Sequence, residues 1–351
     1  VAGLSRAEVL KWLCTEDEEA LCELRERADA ERRRRVGDQV HLRGLIEISN
    51  HCVRSCHYCG LRGPNHGLKR YRLTREQVLQ SARLALSLGY GTVVIQSGED
   101  PGLTSDWVTE LIETIRRQTR LAVTLSLGER SDEELAAWRY AGADRYLLRF
   151  ETSRRDLYER IHPPLASTPS DRIRLLRRLR ELGYEMGTGM MIGIPGQTLE
   201  DLTDDIMLLA ELDPDMIGLG PFVPHPDTPL GKVVPVTSGQ APNSENMVLK
   251  VLALVRLVCP MSNIPATTAL ASIDPEGGYE AGLRWGANVI MPNVSPAEVR
   301  KFYQIYPGKV CVTETIEFHE RLVRRIQEMG RSVGVGRGDS AAYLARQKGA
   351  V

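Results

Sequence analysis

The chain has 351 residues, 42% of them hydrophobic, and carries 45 Lys plus Arg against 46 Asp plus Glu for a formal net charge of -1. That length can bury a large core, either as two ordinary domains or as one large α/β barrel. The even charge balance removes the electrostatic case for a nucleic-acid or anionic-membrane partner, and no run of about 18 apolar residues offers a membrane span.

The opening residues, VAGLSRAEVLKWLC, have neither the continuous apolar core nor the small-residue cleavage pattern of a signal peptide, so a cytoplasmic protein is expected. With 7 cysteines, an odd number, a disulfide framework is disfavoured and a metal or redox role for any tight cysteine cluster gains weight. Residues 1–41 read as a helical extension built on WLCTEDEEALCELRERADAERRRR. The basic run at 25–35 is interleaved with Glu and Asp, the pattern of a solvated helix face. Cys14 and Cys22 lie two turns apart there and are accounted for as small hydrophobes.

From residue 42 to the end, short runs rich in Val, Ile and Leu alternate with segments of helical period. LRGLIEI leads through a cysteine-rich loop to TREQVLQSARLALSLGY; TVVIQ to WVTELIETIRRQ; LAVTLSL to SDEELAAWRYAG; RYLLRF to SDRIRLLRRLRELG. EMGTGMMIGI then leads to LEDLTDDIMLLAEL, DMIGLG to SENMVLKVLALVRLV, NIPATTA to DPEGGYEAGLRWG, and NVIMP to a final helical region. Strand-then-helix alternation implies a parallel sheet with its crossover helices outside. The pattern predicts an α/β protein, a full (β/α)8 TIM-type barrel over 42–351 behind the N-terminal helical extension, with its chemistry on the loops that follow the strands. The most irregular connection, residues 225–246, has a length that often carries function.

NHCVRSCHYCG, after the first predicted strand, spaces Cys52, Cys56 and Cys59 as C-x3-C-x2-C. A closed structural zinc site needs a fourth ligand, and His51 and His57 each adjoin a cysteine, which makes convergence on one ion awkward. Three soft thiolates with one position empty suit an iron-sulfur cluster with one iron left open.

With Tyr58 just before the third cysteine, this stretch resembles the signature of the radical S-adenosylmethionine (SAM) superfamily. The resemblance implies one [4Fe-4S] cluster on Cys52, Cys56 and Cys59, SAM chelated to the open iron, and reductive cleavage of SAM to methionine and a 5'-deoxyadenosyl radical. It further implies SAM contacts at Tyr58, at Ser97, Gly98 and Glu99 on the methionine amino group, and at Glu151 and Arg172. A carboxylate suits an ammonium there and a guanidinium a carboxylate. In GMMIGIPGQTLED, Gly193, Ile194 and Gly196 would lie beside the adenine, where glycine permits close backbone approach.

CGLR, GLKRYRLT, QSGEDP, VTLSLGE, AGADRYLLR, GIPGQT, GPFVPHPDTPL, SNIPATTA, GANVIMPN and YPGKVCV are similar to the HydE family of [FeFe]-hydrogenase maturases, from about residue 40 to about 312. What this implies is an enzyme that assembles the hydrogenase diiron subcluster from a small iron complex carrying cysteine, carbon monoxide and cyanide. The partner maturase HydG would supply that complex, with transient contact to HydG and HydF and a reductase or ferredoxin-type electron donor. Ser97, Thr124, Arg149, Thr267, Thr268, Met291 and Tyr306 would face the substrate, as hydroxyls and a guanidinium able to hold a compact anionic complex. Thr267 and Thr268 read equally well as β-branched strand packing, and Met291 as a flexible core filler. Phe150 replaces a histidine of some relatives near the site. Cys311 lacks the later cysteines of an accessory cluster, with His319 and Leu322 at those places. The alternatives are a methylornithine-forming mutase of the PylB type, another radical SAM reaction on a small amino-acid-derived substrate, or an iron-sulfur carrier or scaffold.

Overall fold

The computed structural model describes residues 3–165, 169–233, 239–309 and 314–349. Two helices, Arg6–Cys14 and Glu18–Val36, precede the strands β1 (Gln39–Ser49), β2 (Thr92–Ser97), β3 (Ala122–Ser126), β4 (Arg145–Leu147), β5 (Glu185–Ile192), β6 (Met216–Pro221), β7 (Val289–Ile290) and β8 (Ser332–Val333). The first seven form one path in the order β6-β5-β4-β3-β2-β1-β7, and every strand pair is parallel. β5 and β6 are buried along their whole length, as expected of a parallel sheet covered on both faces.

The crossover helices start where the sequence places a cap. Thr74, Ser131 and Thr198 each accept from the third residue of the following helix, whose Gln77, Glu134 or Asp201 side chain reaches back to the cap backbone. Thr104 and Ser244 cap helices Ser105–Gln118 and Glu245–Val258. Each cap follows a loop at the C-terminal end of a strand, so these loops share one rim of the sheet.

Four expectations need correction. β1 begins at Gln39 and pairs at once with β8, so the helical extension gives way to strand before residue 41. NIPATTA contributes only the bridges Met216 to Asn263 and Pro265 to Val289, and Thr267 then caps helix Thr268–Ile273. RYLLRF pairs for only three residues, and a short helix, Arg155–Ile161, follows it where no helix was expected. The C-terminal region holds helices Thr315–Glu328 and Ala341–Gly349 but also β8.

The opposite end of the sheet is filled by the C-terminal segment. Arg43 and Asn263 donate to the Gly338 carbonyl at 2.9 and 3.0 Å, Thr92 and Arg145 donate to the Arg337 carbonyl at 2.7 and 3.0 Å, and Ser340 donates to Asp215 at 2.7 Å. Buried Val9, Leu13, Leu24 and Ala28 join the two N-terminal helices to the main core, against helices Leu199–Leu212 and Glu245–Val258. Among the described residues, no helix is long and apolar enough to cross a membrane.

Candidate active site

Where the strands end, a cavity of about 320 Å³ is lined by Cys52, Cys56, Cys59 and Tyr58, and by residues from β1, β2, β3, β5 and β6 and the loops beyond them. This is the rim where the C-terminal strand loops converge.

Backbone bonds to neighbouring loops fix the cysteine loop. Val53 N donates to Glu99 O at 2.9 Å, His57 N to Ile161 O at 2.8 Å and Gly60 N to Ile305 O at 3.0 Å, while Arg70 donates to the carbonyls of Leu61, Arg62 and Asn65. Gly98 has to be glycine, because an added Cβ would lie 2.3 Å from His51 O and 2.7 Å from Cys52 Cβ. All three cysteines are free. Burial pushes the Cys59 thiol up to about 12 and the Cys56 thiol well above its ordinary value; the Cys52 sulfur adds to the first shift, and the Cys59 and Cys52 sulfurs add to the second. Three mutually repelling sulfurs, one buried at Cys56 and two half-buried at Cys52 and Cys59, become thiolates readily only with a metal to neutralise them.

Behind this loop three carboxylates meet three guanidiniums. Arg54 pairs closely with Glu99 and lies 3.0 Å from Glu129; Arg172 lies 2.9 Å from Glu129, 3.8 Å from Glu99 and 3.9 Å from Glu151; Arg149 lies 2.7 Å from Glu151. Glu151 has a φ of 67, a left-handed conformation rare for a residue with a side chain. Its carboxylate there also accepts from Tyr58 Oη at 3.4 Å. Burial, then the charges of Arg172 and Arg54, pushes His162 down to about 2, so its ring is neutral. Arg172 can only donate, so His162 Nε2, 2.8 Å away, accepts and the proton sits on Nδ1, facing Tyr158 Oη at 3.2 Å. Ser170 Oγ completes the chain by donating to Glu129 at 2.6 Å. Ligand atoms of Glu99, Glu129 and His162 lie within 4.8 Å of one another, but the two arginines already neutralise them, which accounts for the group without a metal.

Most of the residues singled out in the sequence line this cavity: the three cysteines, Tyr58, Ser97, Gly98, Glu99, Arg149, Glu151, Arg172, Thr267, Thr268, Met291 and Tyr306. Four do not. Thr124 is fully buried one register layer below Ser126, and its Oγ1 has no partner. Gly193 and Gly196 stand at φ 76 and 87, so the turn itself demands glycine, and added Cβ atoms would meet Asn243 and Arg160 rather than cavity space. Ile194 packs with Leu157, Ile161, Met191, Phe222 and Leu230 in a small apolar cluster touched by Tyr58. Phe150 is buried in the main core, because the alternation that turns Arg149 toward the cavity turns Phe150 away, so it does not alter the cavity's polarity. Cys311 lies outside the described residues.

Sequence reasoning passed over Arg54 and Glu129, although both stand inside stretches it singled out, NHCVRSCHYCG and VTLSLGE. It also missed Tyr158 and His162, which come from the unexpected short helix and its C-cap. Glu47, Tyr303 and Lys309 form a further polar wall: Lys309 pairs closely with Glu47, which also accepts from Asn293 at 2.8 Å.

A parallel α/β sheet with three free cysteines on a rim cavity is the arrangement of a radical SAM protein, and residues 46–209 match the model of the radical SAM superfamily. The chain is 50% identical over 287 residues to the [FeFe] hydrogenase maturase subunit HydE of Thermotoga maritima, covering 82% of this chain and 79% of that protein. It therefore belongs to the radical SAM superfamily, and within it to the family of that subunit; it is an enzyme. Its backbone superimposes on methylornithine synthase (PylB) with a TM-score of 0.82 at 23% identity, over 99% of this chain and 97% of that one. It superimposes on HydG, a maturase of the [FeFe]-hydrogenase, with a TM-score of 0.78 at 21% identity, over 94% and 72%. These likenesses concern the fold. The cofactors of the superfamily are a [4Fe-4S] cluster and SAM, and the residues present fit both, with three soft sulfur donors and a cavity wall that offers carboxylates and guanidiniums to a zwitterion.

Proposed function

We propose that this enzyme binds its cluster on Cys52, Cys56 and Cys59 and SAM against Tyr58, Ser97, Gly98, Glu99, Glu151 and Arg172, and that it acts in assembling the diiron subcluster of [FeFe]-hydrogenase. The observation that carries the reading is one cavity holding three free cysteines beside a network of carboxylates and guanidiniums. When bound, the cluster and SAM supply reductive cleavage of SAM to methionine and a 5'-deoxyadenosyl radical. The chain's own part is to bind and to exclude water. Glu99 and Glu151 offer acceptors to an ammonium, Arg172 and Arg149 offer donors to carboxylates, and the apolar cluster behind Tyr58 closes one wall. Gly193, Ile194 and Gly196 would serve SAM by shaping the turn after β5, from which Ile194 packs against the cavity-lining Met191 and Phe222.

The substrate in this reading is a small iron complex bearing cysteine, carbon monoxide and cyanide, delivered by HydG, and the product passes on toward HydF. Ser97, Arg149, Thr267, Thr268, Met291 and Tyr306 would meet it, with Thr124 beneath. A reductase or ferredoxin-type donor would supply electrons, and the enzyme would work in the cytoplasm. We read residues 1–41, the last three of which already belong to β1, as an extension serving a catalytic domain over 42–351. The hydrogen bonds from Asp215 and Ile217 through Asn263 and Ile264 to Asn288, and from there to His41, support a full (β/α)8 barrel.

Replacing Cys52, Cys56 and Cys59 together by Ser should abolish both the cluster spectrum and 5'-deoxyadenosine release under reductant, because a hydroxyl is a poor substitute for a soft thiolate. Continued release by the triple variant would refute the assignment. The PylB-like fold favours one second reading, a mutase acting on an amino acid held by the same carboxylates and guanidiniums. Complementation of hydrogenase activation in an extract lacking HydE, with no methylornithine formed from lysine, selects the maturase; the opposite pair of results selects the mutase.

A further inference from the structure

Arg54 sits between Cys52 and Cys56 in the cysteine loop, and its side chain lines the same cavity. It is 3% exposed. Nε pairs closely with Glu99 and NH2 lies 3.0 Å from Glu129, while NH1 is buried without a hydrogen-bond partner. The guanidinium is therefore held rigidly beside the loop, with donor capacity left over. The backbone around it is equally fixed, since Arg54 O accepts from Gly63 N at 2.8 Å and Val53 N donates to Glu99 O at 2.9 Å.

Three guanidiniums, Arg54, Arg149 and Arg172, face three carboxylates, Glu99, Glu129 and Glu151, so the network is neutral before any thiolate joins the cavity. Of the three cations Arg54 is the one set between two of the cysteines, and its NH1 is left without a partner. A cubane core of charge 2+ on three thiolates carries a net charge of -1, and one added electron brings it to -2, with no bond broken and no proton moved. A fixed cation beside the thiolates favours the more negative state, because net charge and hydrogen bonds to sulfur set the potential of such clusters.

We propose that Arg54 is a positioning residue that raises the reduction potential of the cluster on Cys52, Cys56 and Cys59, with Glu129 as the counter-charge that limits the effect. This rests on the cluster assignment proposed above. It makes opposite predictions for two neighbouring side chains: removing the cation should make the cluster harder to reduce, and removing the anion should make it easier.

The test is an EPR-monitored potentiometric titration with dithionite on anaerobically reconstituted protein without SAM, comparing wild type with Arg54→Gln, Arg54→Lys and Glu129→Gln. Arg54→Gln should make reduction about tenfold less favourable, a midpoint about 59 mV more negative for a one-electron couple. Arg54→Lys should stay near wild type, and Glu129→Gln should move the midpoint upward. Arg54→Gln protein loaded with iron like the wild type but with an unmoved midpoint overturns the proposal. So does a shift of both neutral variants in the same direction, the mark of general disruption. Should Arg54→Gln fail to hold a cluster, the direction of the Glu129→Gln shift decides, upward in support and unmoved or downward against. Wild-type protein that holds no cluster would instead overturn the underlying assignment.

Discussion

Gly128 stands at φ +78, and an added Cβ would lie 2.0 Å from Glu99 Cγ. Gly128→Ala should therefore lose SAM affinity while leaving the cysteines untouched, through displacement of a carboxylate that also accepts from Glu129 N at 3.0 Å. The loss should reach about 1.5 to 3 kcal/mol, the range for hydrogen bonds to charged groups. Unchanged affinity by calorimetry on reconstituted protein would show that Glu99 stands apart from SAM. Asp205 is a different case. Burial pushes its carboxyl up to about 7, although it accepts from Ser153 and Gln197. A carboxyl whose folded pKa is raised binds more protons in the native state, so its contribution is fully present below the unfolded value of about 4 and is lost as pH rises through about 7. His162, pushed down to about 2, acts in the opposite sense and costs stability as pH falls below the unfolded histidine value. The two slopes overlap, so only a difference isolates Asp205. The stability of wild type minus that of Asp205→Asn, from denaturant midpoints, should fall between pH 4 and pH 7, and a flat or rising difference would show that the carboxyl titrates normally.

At the scale of elements, the N-terminal helices meet the crossover helices through contacts of very different worth. Lys250, 1% exposed, donates to the carbonyls of Leu13 and Thr15 at 3.0 and 2.7 Å and to Glu16 at 2.7 Å, tying the end of the first helix to helix Glu245–Val258. Lys250→Met would strand both carbonyls and should cost about 1 to 3 kcal/mol. Arg6→Ala should leave the denaturation midpoint unmoved, because the Arg6 to Asp204 pair is half exposed on both sides. Equal effects would mean that the extension is held by apolar packing alone. The elements also show what could be read in the sequence. Strands with continuous apolar runs and helices with Ser or Thr caps were legible because burial and capping leave local marks, as at β5 and Thr198. NIPATTA was misread because Pro265 cannot donate to a ladder, and the β-branched pair after it includes the cap of the next helix. β8 is two residues long and polar or half-buried, with no periodicity to betray it. Within the site, the cysteines were legible from spacing. Glu129, Tyr158 and His162 were not, because their roles depend on three chain segments, at 129, 158–162 and 170–172, meeting in space.

For the whole molecule, the question is how many clusters one chain can hold. The C-terminal segment spends its polar groups filling the far end of the sheet, where Arg145 pairs with Glu185 and Asp339. Helix Thr315–Glu328 packs its inner face on the core. Leu322 is 4% exposed there, and His319 Nδ1 lies 3.1 Å from Tyr90 Oη. Neither position offers a sulfur, and a hydrocarbon side chain cannot bind iron at all. Among the described residues, the remaining cysteines are dispersed: Cys14 and Cys22 belong to the two N-terminal helices, and Cys259 is buried at the end of helix Glu245–Val258, where burial pushes its thiol up to about 12. A second cluster needs several ligands converging on one place, and only Cys52, Cys56 and Cys59 do so. Anaerobically reconstituted protein should therefore hold about four irons per chain, the complement of a single cubane cluster. Cys311→Ser should keep that iron, its visible spectrum and its SAM cleavage. Iron and sulfide in clear excess of one cubane, with the excess lost on replacing Cys311, would require a second cluster with Cys311 among its ligands.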